Sequence, residues 1–147
     1  MNKNEILEKL NELGFTLQEA PGTGYFFKYE EMVVVYMPDE DESFVRFAVP
    51  NLYEVTEENR SYLLEIANET NVTIKYGKVC IFGDYVWACA EHHSYGNEDI
   101  EELLGHNLSL LNAMVSLFCR LVEGEGMGED EVTDENEESE GSYEQDV

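Results

Sequence analysis

Apolar residues along this chain recur first at a helical period and then at a strand period, and the switches between the two lay out its elements. Ile6, Leu7, Leu10 and Leu13 fall at i, i+1, i+4 and i+7, which lines one face of a short helix. Gly14 ends that helix as a C′ glycine does. "EAPGTG" (19–24) reads as a loop, broken by a proline and two glycines. "YFFKYE" (25–30) and "MVVVYM" (32–37) are rich in aromatic and β-branched residues, which predicts two strands joined as a hairpin at Glu30–Glu31. "PDEDE" (38–42) makes the next turn. "SFVRFAV" (43–49) is a third strand, with Val45, Phe47 and Val49 toward the core and Phe44, Arg46 and Ala48 away from it.

Pro50 has no N–H and stops the ladder there. Thr56 is placed to cap a helix, and Glu57 and Glu58 fall in its first turn, where the helix dipole favours anions. That helix is expected to reach about Asn68, with Tyr62, Leu63 and Ile66 inward. Each conspicuous residue of "DESFVRFAVPNLYEVTEENR" (41–60) thus has a structural task, and the stretch does not read as a catalytic loop. "VTIKYGKVCIFGDYVWACAEHH" (72–93) supplies two more strands around a turn at Gly83–Asp84. Asn97 is the expected cap of a long helix over 97–122, whose first turn is acidic. Its stripe of Ile100, Leu103, Leu104, Leu111, Met114, Val115, Phe118 and Leu121 is widened by Leu108, Leu110, Ala113, Leu117 and Val122. A helix apolar over so broad an arc is covered on more than one side.

The element order α-β-β-β-α-β-β-α does not alternate one for one. It predicts an α+β domain over residues 1–123, with an antiparallel five-stranded sheet and helices packed mainly on one face. From "GEGMGEDEV" onward the chain is acidic, glycine-rich and aperiodic, so residues 124–147 are expected to be a disordered tail.

Charge sharpens this picture. The net charge is −25, and residues 123–147 hold twelve Asp or Glu and no Lys or Arg. About half the charge therefore sits on a sixth of the chain. Nucleic-acid backbones and anionic membrane surfaces are repelled by such a field, whereas a basic protein or peptide is attracted. The first fifteen residues show no signal-peptide pattern, and no apolar run approaches the roughly 20 residues of a membrane span. Three cysteines, Cys80, Cys89 and Cys119, lie in apolar surroundings. That suits reduced, buried thiols and a cytoplasmic setting better than a disulfide framework.

Candidate chemistry is sparse. Cys89, Glu91 and His93 share one strand face, with His92 on the other, and are the one cluster with metal-like residue types. Adjacent rungs on a strand splay, and no second cysteine pair completes a zinc site, so no metal or other cofactor is expected. Asp39–Glu42 lacks the EF-hand spacing and reads as a solvated turn. "GTG" (22–24) precedes a strand, whereas a dinucleotide loop follows one. No "GxSxG" occurs, and no histidine sits in a pattern that would activate a serine or cysteine. The chain is not expected to be an enzyme.

The acidic turn followed by "SFVRFAVPNL", a capped helix, "IKYGKVCIFGDYVWACAEH" and a long last helix together resemble the YbjN-type domain over roughly residues 1–122. That family is similar in fold to type III secretion chaperones. The resemblance implies a small α+β sheet with helices on one face, often dimeric, that binds proteins or peptides. It supplies no catalytic residues. The acidic tail and His92–His93 depart from the family pattern.

Both pleat faces of the strands carry apolar groups, and three helices cannot readily cover both. The surplus must meet a second copy, a client segment, or the long helix curling over an edge. Phe26, Val34, Tyr36 and Phe44 of the strands, with Leu110 and Leu117 of the last helix, are the candidate partner-binding set. The expected function is a non-catalytic, dimeric protein- or peptide-binding module of chaperone-like or regulatory character. The alternative is a small-molecule or metal-binding regulator using the Cys89–His93 end of the sheet.

Overall fold

A computed structural model describes residues 1–124. The elements are α1 (Lys3–Glu12), β1 (Gln18–Ala20), β2 (Gly24–Tyr29), β3 (Met32–Tyr36), β4 (Phe44–Val49), α2 (Arg60–Thr73), β5 (Gly77–Phe82), β6 (Tyr85–His93) and α3 (Ile100–Val122). The strands form one antiparallel sheet in the order β1-β2-β3-β4-β6-β5.

Pro50 sets the crossover in that order. β4 ends at Val49, and the chain after the proline runs beside the start of β6 instead. Leu52 N–H donates to Val86 O at 2.8 Å, Val86 N–H to Tyr53 O at 2.9 Å and Val55 N–H to Asp84 O at 2.7 Å. The chain then passes through α2 to the far edge, where β5 forms. The Gly83–Asp84 turn sends β6 back into the slot between β4 and β5. Short hairpins and one helical excursion are all the topology requires.

The sheet has six strands, not the five expected. The extra one, β1, lies in the segment read as loop: Gln18 pairs with Phe26 and Ala20 with Gly24. It is three residues long with no apolar alternation, so only its backbone marks it as a strand. Both later helices start further along than expected. α2 begins at Arg60 and runs to Thr73, past Asn68. Thr56 closes the turn before it by exchange with Asn59: Thr56 N–H donates to Asn59 Oδ1 at 2.7 Å and Asn59 N–H to Thr56 Oγ1 at 3.2 Å. α3 is capped by Asp99, not Asn97. The Asp99 carboxylate accepts from the N–H groups of Glu101 and Glu102. A carboxylate at that position also suits the helix dipole.

All three helices pack on one face of the sheet. Their buried residues, including Ile6, Leu10, Leu63, Leu104, Leu111, Met114 and Phe118, join Phe27, Val34, Phe47, Val79 and Val86 in a single core. α3 lies across β4, β5 and β6 and is flanked by α1 and α2, which accounts for its broad apolar arc. Of the expected inward residues of α2, Leu63 and Ile66 are buried, whereas Tyr62 is exposed and its hydroxyl donates to the carbonyl of Val122 at 2.8 Å. That bond ties the start of α2 to the end of α3. The tail expected from residue 124 lies, from residue 125 onward, outside the described residues. No helix among the described residues is long and apolar enough to cross a membrane.

The β6–α3 junction is held by one carboxylate. Glu98 accepts from the N–H groups of Tyr95 at 2.8 Å and Gly96 at 3.2 Å, and from the Ser94 hydroxyl at 2.8 Å. These donors, the Tyr95 N–H foremost, hold its pKa down to about 2 from an ordinary value of 4.5. A carboxylate more acidic when folded stabilises the fold above its unfolded pKa and loses that contribution as pH falls through its folded pKa. Stability should therefore decline between about pH 4.5 and pH 2. Glu98→Gln should flatten the acid limb over that window in urea titrations run at a series of pH values.

Candidate functional site

Among the described residues the other face of the sheet carries no helix, and pairing register builds it row by row. Phe26 lies opposite Val35, Val35 opposite Ala48, Ala48 opposite Cys89, and Cys89 opposite Lys78. Paired residues in an antiparallel ladder point to the same face. One row thus crosses five strands and is apolar but for Lys78 at one end. On one side of it, Met37 N–H bonds Arg46 O, and Arg46 faces Glu91. On the other, Cys80 faces Trp87, whose ring meets the edge of Phe82 at 5.1 Å between centroids.

Val35 and Ala48 are fully buried on this uncovered face because Phe26, Met37 and Trp87 close over them. The result is a second, thin apolar layer. Phe82, at its rim, is 64% exposed, and Val33 is 45% exposed. Met37, Arg46, Lys78, Cys80, Phe82, Trp87, Cys89 and Glu91 line a groove of about 160 Å³.

The charges on this face differ from those of the rest of the chain. Lys28, Arg46 and Lys78 stand on it, three of the eight Lys and Arg residues. Glu91 Oε2 accepts from Arg46 Nε at 2.9 Å and lies 3.2 Å from Lys78 Nζ. All three side chains are part-exposed, so each pair contributes at most about 1 kcal/mol. Arg46 also sits 4.8 Å from the centre of the Phe44 ring, which lies toward the end of the same face.

The six residues expected to form one partner surface divide between the two faces. Phe26 and Phe44 are on the helix-free face, half-buried. Val34 and Tyr36 are on the opposite one, buried in the core, where Tyr36 packs 5.1 Å from Phe47. Burial pushes the Tyr36 hydroxyl up to about 12. Leu117 is buried in α3, and Leu110 is half-buried against the same core. The reason is the hairpin turn. Tyr29 pairs with Met32, which places Phe27 opposite Val34 and Tyr25 opposite Tyr36. Even positions of β3 therefore share a face with odd positions of β2. Val35, Met37, Trp87 and Phe82 take the places of the three core residues, and the two-residue turn is the sequence signal from which their face could be read.

Cys89, Glu91 and His93 do share this face, and an open depression at that end is lined by Asp39, Asp41, Ser43, Phe44, Glu91, His92 and His93. Its carboxylates are occupied by other partners. Glu91 holds Arg46 and Lys78. Asp41 accepts from the Ser43 hydroxyl at 2.6 Å and the Ser43 N–H at 2.9 Å, which lower its pKa, and Asp39 accepts from the Asp41 N–H. His92 lies 3.7 Å from Glu98, and His93 stacks edge-on against Tyr95 at 4.5 Å. Among the described residues, no group of three or more His, Cys, Asp or Glu side chains is arranged to hold a metal ion.

Burial pushes the Cys89 thiol up to about 11, with the neighbouring Cys80 adding to the shift. Thiolate is the reacting form, so at pH 7.5 Cys89 should alkylate about 100-fold more slowly than an unperturbed thiol. Mass-spectrometric mapping of iodoacetamide adducts over time checks this, with unfolding in urea expected to abolish the lag.

No family model matches this chain, and no curated protein matches it. Solved structures do. YbjN from E. coli, described as a proposed transcription regulator, is similar over 84% of this chain and 93% of its own, with a TM-score of 0.64 and 12% identity. An uncharacterized protein from Methanothermobacter thermautotrophicus is similar over 86% of this chain and all of its own, with a TM-score of 0.58 and 14% identity. The fold is therefore the YbjN fold, as the sequence resemblance implied.

Proposed function

We propose that this chain is a non-catalytic protein-binding module that receives a partner segment on the helix-free face of its sheet. The observation that carries this reading is the second apolar layer, which among the described residues stands open around Trp87 and Phe82 while α1, α2 and α3 all pack on the opposite face. Contiguous apolar surface rimmed by polar groups marks interaction sites. The groove is smaller than the roughly 300 Å³ at which small-molecule pockets begin, so it suits a single anchoring side chain better than an enclosed ligand. Met37, Arg46, Phe82 and Trp87 supply half of its lining, and they are of the types favoured at interface centres.

The partner is a protein segment with an apolar anchor for the groove and basic stretches that lie beyond Lys28, Arg46 and Lys78, toward the acidic remainder of the chain. The net charge of −25 draws cationic chains from a distance. The same charge opposes direct contact with nucleic acid. A regulatory role of the kind suggested for YbjN would then run through a protein partner.

Trp87 is the chain's sole tryptophan and sits in the groove wall, so it reports on occupancy. A library of peptides with one aromatic or aliphatic anchor between lysines and arginines should contain members that shift its emission to shorter wavelength. A shift that grows with protein concentration alone would instead identify a second copy as the occupant. No shift from any peptide, and none with concentration, would defeat the proposal. A thermal-shift screen against metals and metabolites tests the competing ligand-binding reading, since any ligand of the folded state raises the midpoint.

A further inference from the structure

The sheet has two edges, and they are protected differently. β1 is three residues long and includes Glu19, features that discourage pairing with another chain. β5 is longer, "GKVCIF", and its stretch from Val79 to Phe82 is uncharged and rich in β-branched and aromatic residues. Such a strand at an open edge is a template for a further strand.

The middle of that edge is occupied. Val79 N–H donates to Asn71 Oδ1 at 2.7 Å, and Asn71 Nδ2 donates to Val79 O at 3.0 Å. Both main-chain groups of Val79 therefore point away from β6, as alternation in an antiparallel ladder requires of every second residue. The carboxamide of Asn71 presents one acceptor and one donor side by side, the pattern a peptide group of a neighbouring strand would offer. It reaches the edge from the last turn of α2, two residues before that helix ends. The hydroxyls on either side are used otherwise: Thr70 and Thr73 donate to carbonyls of their own helix. Asn71 alone is turned to the strand.

We infer that Asn71 is a plug that fills the place of a seventh strand and keeps β5 from pairing with β5 of a second copy. Two copies related by a two-fold axis could otherwise join their β5 edges antiparallel, residue i of one strand facing residue j of the other and j facing i. This surface is distinct from the helix-free face, and the inference does not depend on the function proposed for that face.

The test compares wild type with Asn71→Ala by amide exchange and by sedimentation across a concentration series. In the wild type, the Val79 amide should exchange as slowly as amides bonded between strands, although it lies on an edge. In Asn71→Ala at low micromolar concentration, its exchange should rise at least tenfold. At higher concentration the variant should form a dimer that the wild type does not, and protection of Val79 should return. Adding Val79→Pro should abolish that dimer, because proline removes the edge donor while the bonds to β6 come from the neighbouring residues. Phe82→Ala should leave it intact. Unchanged exchange at Val79, or a sedimentation profile matching wild type at every concentration, overturns the inference. Should Asn71→Ala not fold, Asn71→Asp keeps the acceptor, loses the donor and is judged by the same two readouts.

Discussion

Gly24→Ala should destabilise the protein by about 3 kcal/mol, the upper end of what overpacking costs. Gly24 opens β2 at φ 156°, a conformation L side chains rarely adopt. A Cβ there would run into the main-chain oxygen of Tyr36, with Val35 Cγ2 at 3.1 Å. The obstacle is backbone, and it cannot give way. Tyr36 pairs with Tyr25 at the end of the β2–β3 ladder and with Phe47 across β3–β4, and its ring is buried. Moving its carbonyl loosens two ladders and the core together. Gly14 and Gly83 provide the contrast. Both have positive φ, but nothing lies within 4 Å of a Cβ at either. Alanine at those two sites should cost about 1–2 kcal/mol, the left-handed penalty alone. Urea melts of the three variants check the ranking, with equal m-values expected if the denatured states are alike.

That glycine also shows what the sequence could and could not convey. Pro and Gly in "EAPGTG" correctly mark a reversal, but the pattern is blind to what lies opposite. Gly24 is required by contact with a strand twelve residues later, and β1 exists only because that reversal brings Gln18–Ala20 beside β2. Local chemistry read well where the cause was local. The Glu30–Glu31 turn, the stop at Pro50, the Gly83–Asp84 turn and the inward set Val45, Phe47 and Val49 all follow from residues within a few positions of one another. Helix starts were less legible because acidic and Asn side chains crowd both junctions. At 97–99 both Asn97 and Asp99 are of a type that caps α3, and it is Asp99 that does so while Glu98 accepts from the loop behind it.

The candidate surface was half legible for a related reason. An excess of apolar strand positions over available helix is visible in composition and parity, and the structure has the uncovered face this implies. Which residues occupy it depends on register, and parity counted along each strand separately does not carry across a turn. Val34 and Tyr36 went to the core because two residues, rather than one or three, separate Tyr29 from Met32. Asn71 carried no signal at all. A helix-borne asparagine six residues before a strand becomes meaningful only when the edge it reaches is known.

Phe82→Ala should separate binding from stability. In a buried setting the same change is severe: Phe118, fully buried and 5.8 Å from the Tyr53 ring, should cost about 3–5 kcal/mol when truncated. Phe82 is 64% exposed and its main contact is the edge of Trp87, so truncation should cost less than about 1 kcal/mol. If the helix-free face is the binding surface, Phe82 is at the rim of its groove with Trp87 beside it, and a docked segment would bury both rings. Loss of one such aromatic anchor weakens binding by about 2 kcal/mol, or roughly 30-fold. The affinity of the best peptide from the Trp87 fluorescence screen, measured by titration calorimetry against Phe82→Ala, should therefore fall about 30-fold while the urea midpoint moves little. Val33→Ser, on the same face but toward the β2–β3 turn, should change that affinity less than threefold if the segment is centred on the Trp87 groove. An affinity unchanged in Phe82→Ala would place the partner elsewhere, because no segment can seat in this groove without covering that ring.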